Sequence, residues 1–263
     1  MTFAAHHAES IQRVTEHFFS LPEVEGLILG GSIAHGFARA ESDVDVAIVI
    51  SEEEHERRRA TGRLTFLSHD LCTYPGGYVD GKYLTRAFIT TVGERGSEPA
   101  RFAFADAQVL FSRVDGLPEL LRAAARYPTE GRTDRMRRFH AQLQAWHWYA
   151  TEALRLDNRY LLGVAIARLV LFGGRLVLAH NHALYPYHKW FLEVLRRVED
   201  KPAGLLDRIQ DLHENPSAPA VTEFYETIRD FQDWPPLTAG WGDQFMIDSE
   251  QNWLSGQPPV DDL

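Results

Sequence analysis

Two hydrophobic patterns divide the chain. Up to about residue 125, short apolar and alternating runs indicate β-strands separated by turns and helices. These strands are predicted over residues 25–30, 44–50, 64–71, 78–85 and 107–112, with an amphipathic opening helix and a charged helix at 52–59. Later, apolar residues recur every three or four positions, which predicts helices over residues 133–156, 160–180, 189–199, 205–214 and 221–231.

The change of period predicts an α+β fold. We expect a small mixed sheet with flanking helices in residues 1–125, followed by an all-α helical bundle in residues 126–263.

The junction between the first two predicted strands is rich in glycine and polar residues. The chain from Leu27 to Ile50 reads LILGGSIAHGFARAESDVDVAIVI, so Gly31-Ser32 closes one strand and Asp43-Val-Asp45 opens the next. Alternate residues of a strand point to the same face, and we therefore expect the two aspartates to project together.

This combination predicts chemistry on a nucleoside triphosphate. Two neighbouring carboxylates repel each other unless a cation lies between them, and their hard oxygen atoms suit Mg²⁺, which completes its shell with waters and phosphates. Gly31 and Ser32 offer a turn of little bulk whose N–H groups and hydroxyl can face phosphate oxygens. The alternative is a hairpin-like turn followed by surface aspartates, which the buried face required by residues 44–50 disfavours.

The Gly31-Ser32 turn, its spacer and Asp43-x-Asp45 resemble the signature of the polymerase-beta-type nucleotidyltransferase superfamily. The layout is similar to that of aminoglycoside and lincosamide adenylyltransferases, with a catalytic domain first and a helical domain second. The resemblance implies Mg²⁺-dependent transfer of AMP from ATP to a hydroxyl of a small molecule, such as an aminoglycoside-like antibiotic, with release of pyrophosphate. The alternatives are AMP transfer to a partner protein and an inactive nucleotide-binding module.

The resemblance also implies a third acidic residue on a neighbouring strand. Asp80 is the candidate, with Asp70 as the second choice. Asp80 would join Asp43 and Asp45 in binding metal and would accept the proton of the attacking hydroxyl. The competing interpretation of Asp80 is a tight turn at Asp80-Gly81, because Asp-Gly is a strong hairpin dipeptide.

Basic residues of the helical half are expected, on the same resemblance, to contact the triphosphate. Lys189 lies in the first turn of a predicted helix, where a cation gains nothing from the helix dipole. Arg168 lies in an apolar helix, where an unpaired charge is costly. The alternatives are a surface lysine and an intramolecular ion pair. His35, inside the glycine turn, is equally consistent with a phosphate contact and with a spacer residue.

Net charge and cysteine content restrict the classes of partner molecule and the cellular compartment that we expect. The formal net charge of −10 argues against nonspecific binding to nucleic acid and is compatible with a cationic acceptor. The single cysteine, Cys72, excludes an internal disulfide and fits a reducing cytoplasm. We expect no membrane-spanning segment. The sequence does not indicate an oligomeric state.

Overall fold

The computed structural model describes residues 4–254, 256 and 260–262. These residues form two compact units. The first contains the described residues up to 96 together with 100–126, and the second contains 97–99 and the described residues from 127 onward.

The described part of the first unit contains five strands and six helices, of which the fifth helix begins in the segment 97–99 of the second unit. The strands are β1 (Val24–Leu29), β2 (Val44–Ile50), β3 (Thr65–Ser68), β4 (Val79–Leu84) and β5 (Gln108–Ser112). The helices are α1 (Ala5–Phe19), α2 (Gly31–Ala34), α3 (Glu52–Ala60), α4 (Arg86–Arg95), α5 (Glu98–Phe102) and α6 (Leu117–Ala124).

The strands form one mixed sheet in the order β3-β4-β2-β1-β5. β1 pairs antiparallel with β2 and β5, and β3 pairs antiparallel with β4. β2 and β4 are parallel, in a register that sets Asp45 opposite Asp80. The mixed sheet with flanking helices confirms the predicted fold of this half.

Both faces of the sheet carry apolar clusters. On one face, α1 packs through Val14 and Phe18 against Val46 and Ile48 of β2. On the other face, α4 and α6 pack against a cluster that includes Val49. Since side chains alternate along β2, Asp45 shares the second face with Val49 but lies at the opposite end of the strand.

The second unit is helical, as predicted. Its α-helices are α7 (Arg132–Arg155), α8 (Arg159–His180), α9 (Phe191–Arg197), α10 (Leu205–Glu214), α11 (Ala218–Arg229) and α12 (Trp241–Phe245). Short turns of 3-10 or π-helix cover His188–Trp190, Met246–Glu250, Asn252–Leu254 and Val260–Asp262.

α8 passes a test for membrane-spanning helices that considers length and composition alone. Its mean hydropathy is 2.0, but 67% of its apolar window is buried inside the protein. Such burial is typical of the central helix of a soluble domain, because a helix that is apolar all round packs inside a core.

A buried ion pair lies in the core of the second unit. The Arg175 side chain is fully buried between the rings of Phe139 and Tyr185, each 4.4 Å from its guanidinium carbon. Glu98 Oε1 lies 3.5 Å from Arg175 and from Arg135, and its Oε2 accepts the Tyr185 N–H at 2.9 Å. Burial lowers the pKa of Arg175, and the negative charge of Glu98 opposes this effect.

We expect Glu98→Gln to destabilise the second unit by about 3–5 kcal/mol, because breaking a buried pair leaves an uncompensated charge. All six tryptophans follow residue 127, so tryptophan fluorescence during urea unfolding reports this unit. The matched control is Glu223→Gln, which breaks an exposed pair with Arg208 and should cost about 0–1 kcal/mol. Equal stability losses in the two variants would contradict the assignment of Glu98 as the essential partner.

Candidate functional site

The candidate site lies where β1 ends and β2 and β4 begin. After β1, the Gly30 N–H donates to the Asp45 carbonyl at 3.0 Å, which ties the turn to the next strand. The single helical turn of α2 follows at once and carries Ser32. The turn and the acidic strand are therefore held together by backbone hydrogen bonding as well as by side chains.

Gly31 is in direct contact with the Asp45 carboxylate. Its φ of +62° lies in the left-handed region, which favours glycine. A Cβ built on Gly31 would lie 1.7 Å from Asp45 Oδ2 and 2.3 Å from its Cγ. No side chain fits in that space, so glycine at this position allows the carboxylate to lie against the turn.

Asp80 lies beside Asp45 on the neighbouring strand. The two residues are partners in the parallel register, and each is half-buried. Paired residues of adjacent strands point to the same face, so both carboxylates occupy one face of the sheet. Asp80-Gly81 lies inside β4, and the interpretation of this dipeptide as a hairpin turn is wrong. Asp70 is exposed, just after β3.

Tyr78 links the three acids. The neighbouring Asp43 carboxylate, together with the negative charges of Asp45 and Asp80, raises the pKa of the Tyr78 phenol. All three carboxylates therefore lie near one phenol. Sequence reasoning missed Tyr78 as a site residue, although its spacing of two from Asp80 is the signal that puts both on one face.

Ser32 is a buried polar residue of the turn. It is 3% exposed, and its hydroxyl has no hydrogen-bond partner among the residues that the structure describes. A buried hydroxyl without a partner is destabilising, by about 1–3 kcal/mol. A ligand oxygen at this position would satisfy it.

His35 packs into the first unit. Its ring stacks on Phe102, with the ring centroids 4.4 Å apart, and its Nδ1 lies 3.4 Å from Asp106 Oδ2. The imidazole is 5% exposed. This environment gives His35 a packing role and an acidic neighbour.

The donor atoms of the acidic cluster fit a hard divalent cation. Asp45 and Asp80 supply carboxylate oxygens on neighbouring strands, and Asp43 supplies them just before β2, beside a turn that a Cβ would block. Within the described residues, no three His, Cys, Asp or Glu side chains form a ready-made ligand group. Mg²⁺ does not need one, because it usually binds one or two carboxylates and completes its shell with waters and substrate phosphates. Metal binding by these residues stays a prediction.

The two basic candidates lie in the second unit. Arg168 pairs with Asp261, and its guanidinium carbon lies 5.8 Å from the Trp146 ring centroid. The ion pair that the sequence left open as an alternative is therefore present. Lys189 is exposed, in the turn before α9, with its Nζ 5.3 Å from the Trp190 ring centroid. A phosphate contact from either residue stays a prediction.

Comparison with known proteins agrees with the motif. Residues 11–88 match the family model described as "Nucleotidyltransferase domain". The search of curated proteins gave no match. The chain is similar to a solved nucleotidyltransferase-like protein from Exiguobacterium sibiricum, with a TM-score of 0.47 and 12% identity, covering 86% of this chain and 74% of that chain. The family match confirms the resemblance to polymerase-beta-type enzymes, because the segment 11–88, which matches the nucleotidyltransferase domain model, carries the glycine turn and all three site aspartates.

Proposed function

We propose that this protein transfers AMP from ATP to a hydroxyl group of a small molecule and releases pyrophosphate. The supporting observation is the contact of the Asp45 carboxylate with the Gly31 turn, because it sets an acidic cluster directly beside a buried, unsatisfied hydroxyl. A metal-bound triphosphate needs both kinds of group in one place.

Each side chain of the site has a role in this proposal. Asp43 and Asp45, with Asp80, would hold Mg²⁺, which when bound neutralises charge on the triphosphate. Ser32 donates its hydroxyl hydrogen to a phosphate oxygen and so gains the partner that it lacks. Positioning and electrostatic stabilisation of this kind supply most of the acceleration in transfers at phosphorus.

Asp80 is the proposed base. It accepts the proton of the acceptor hydroxyl as the oxygen forms its bond to the α-phosphorus, and the bond from that phosphorus to the pyrophosphate oxygen breaks. A carboxylate within hydrogen-bond reach is suited to this step. Asp45 contacts the Gly31 turn, so a cation held by Asp45 would bring the triphosphate against that turn.

The acceptor is proposed to be a cationic small molecule of the aminoglycoside kind, and the reaction is placed in the cytoplasm. The net charge of −10 favours positively charged ligands. The same charge disfavours nucleic acid as acceptor, since neutralisation of phosphates dominates that affinity.

The acceptor class is tested by measuring pyrophosphate release with ATP, Mg²⁺ and a panel of aminoglycosides and lincosamides, alongside ATP labelled at the α-phosphorus. We expect the label in a soluble product that forms only with one acceptor class. Label in a protein band would instead identify a protein-modifying enzyme. Nucleotide binding without pyrophosphate release, with every acceptor, would overturn the proposal in favour of an inactive binding module.

Removing the charge of the acids tests their roles. We expect Asp45→Asn to reduce pyrophosphate release by about 10³-fold or more, equivalent to ~4 kcal/mol of transition-state stabilisation. Asp80→Asn should cost about 10²- to 10⁴-fold, the usual range for a general base. Asp70→Asn is the matched control and should keep full activity, because Asp70 is exposed outside the cluster. Far-UV circular dichroism checks folding. A larger loss in Asp70→Asn than in Asp80→Asn would reverse the assignment.

The contact between Gly31 and Asp45 is tested by a matched pair of glycine substitutions. Gly31 and Gly36 have similar φ values, +62° and +69°, so alanine costs roughly 1–2 kcal/mol of backbone strain at either position. At Gly36, a Cβ meets no heavy atom within 4 Å, whereas at Gly31 it overlaps the carboxylate. We expect Gly31→Ala to abolish pyrophosphate release and Gly36→Ala to retain it. Retained turnover in Gly31→Ala would show that the position of this carboxylate does not matter.

A further inference from the structure

We propose that Tyr78 is a positioning residue, whose hydroxyl holds the carboxylate of Asp43 in place for the divalent cation. The inference rests on the proposed function, because it assigns a role within the same acidic site.

The backbone brings the two residues together. The Val44 N–H donates to the Tyr78 carbonyl at 3.0 Å, and the parallel pairing that follows joins Val44 with Val79 and Asp45 with Asp80. Extended one residue back, this register sets Tyr78 beside Asp43. The alternation of side chains then gives Tyr78 the same face as Asp80.

The phenol is the donor in this contact. The register sets the two side chains next to each other, and a tyrosine hydroxyl donates a hydrogen bond whereas an ionised carboxylate can only accept one. A carboxylate can accept several hydrogen bonds. A bond from Tyr78 therefore leaves acceptor sites on Asp43 for a cation.

Asp43 needs such support because it precedes the paired part of β2. The backbone before it is already held, since the Ser42 carbonyl accepts hydrogen bonds from the Tyr74 hydroxyl and from His7 Nε2. The orientation of the Asp43 side chain is a separate matter, and Tyr78 fixes it. Carboxylates that bind metals are commonly hydrogen-bonded by neighbouring groups, whose loss costs about 10- to 100-fold in metal affinity or activity.

The phenol hydroxyl can be removed without removing the ring. The Tyr78 ring lies 5.8 Å from the ring of His69, centroid to centroid, and phenylalanine keeps that packing. A merely structural role would therefore survive in Tyr78→Phe. Tyr83→Phe is the matched control, because Tyr83 lies on β4, which begins directly after Tyr78, but on the opposite face, packed with the α1 cluster.

The test is a Mn²⁺ titration of the full chain, followed by electron paramagnetic resonance, without nucleotide, because a triphosphate binds Mn²⁺ by itself. We expect Tyr78→Phe to raise the Kd of Mn²⁺ by about 10-fold or more, Tyr83→Phe to leave it unchanged, and Asp45→Asn to abolish binding. In pyrophosphate release, Tyr78→Phe should raise the KM for Mg²⁺ while kcat at saturating Mg²⁺ is largely retained.

The outcomes separate this inference from the proposed function. An unchanged Kd in Tyr78→Phe, with binding lost in Asp45→Asn, overturns the role of Tyr78 and leaves the metal assignment intact. Equal weakening in Tyr78→Phe and Tyr83→Phe also overturns it, because general loosening of β4 then explains the effect. Undiminished Mn²⁺ binding by Asp45→Asn overturns the metal assignment itself. Adding Tyr78→Phe to Asp43→Asn should weaken binding no further, and additive losses would contradict coupling through Asp43.

Discussion

The side-by-side placement of Asp45 and Asp80 on parallel strands is the constraint on which the site depends. Like charges directly opposite each other in a sheet are destabilising. The opposite face compensates for this, since Val44, Val46 and Ile48 are buried there and each side chain contributes about 1.5–3 kcal/mol. The apolar face of β2 therefore stabilises a strand whose acidic end, taken alone, opposes folding.

The local part of this arrangement follows from the sequence. Alternation along residues 44–50 predicts a strand, and β2 has those bounds. The same alternation puts the two aspartates of the motif on one face. The partner of Asp45 does not follow, because β4 joins β2 after a crossover and no local signal specifies a parallel register. This is why a hairpin at Asp80-Gly81 remained a reasonable alternative until the pairing of β4 was known.

The helices also have features that depend on tertiary contacts and could not be predicted from the sequence. Helix α4 was not predicted, because its Ile-Thr-Thr-Val run favours a strand, although Thr85 caps the helix by accepting the Phe88 N–H. In α8, we expected the costly buried charge to be Arg168, but the fully buried arginine is Arg175. The apolar run around both arginines hides which one faces the core, and the counter-ion Glu98 is distant in sequence. Period and composition identify the helix, whereas the pairing of its charges depends on tertiary contacts.

The acids of the site are held by different means before any ligand arrives. Asp45 is fixed by its place in β2 and by the turn at Gly31, whereas Asp43 lies just outside the strand and depends on groups around it. Ordering one residue costs roughly 1–2 kcal/mol, and here that cost falls on folding, not on ligand binding. A preorganised acidic site favours the metal-bound triphosphate over the same molecule without metal. It adds nothing to the choice of acceptor, which must depend on residues outside the motif. The motif therefore predicts the class of chemistry, and the proposed acceptor would be selected by surfaces outside it.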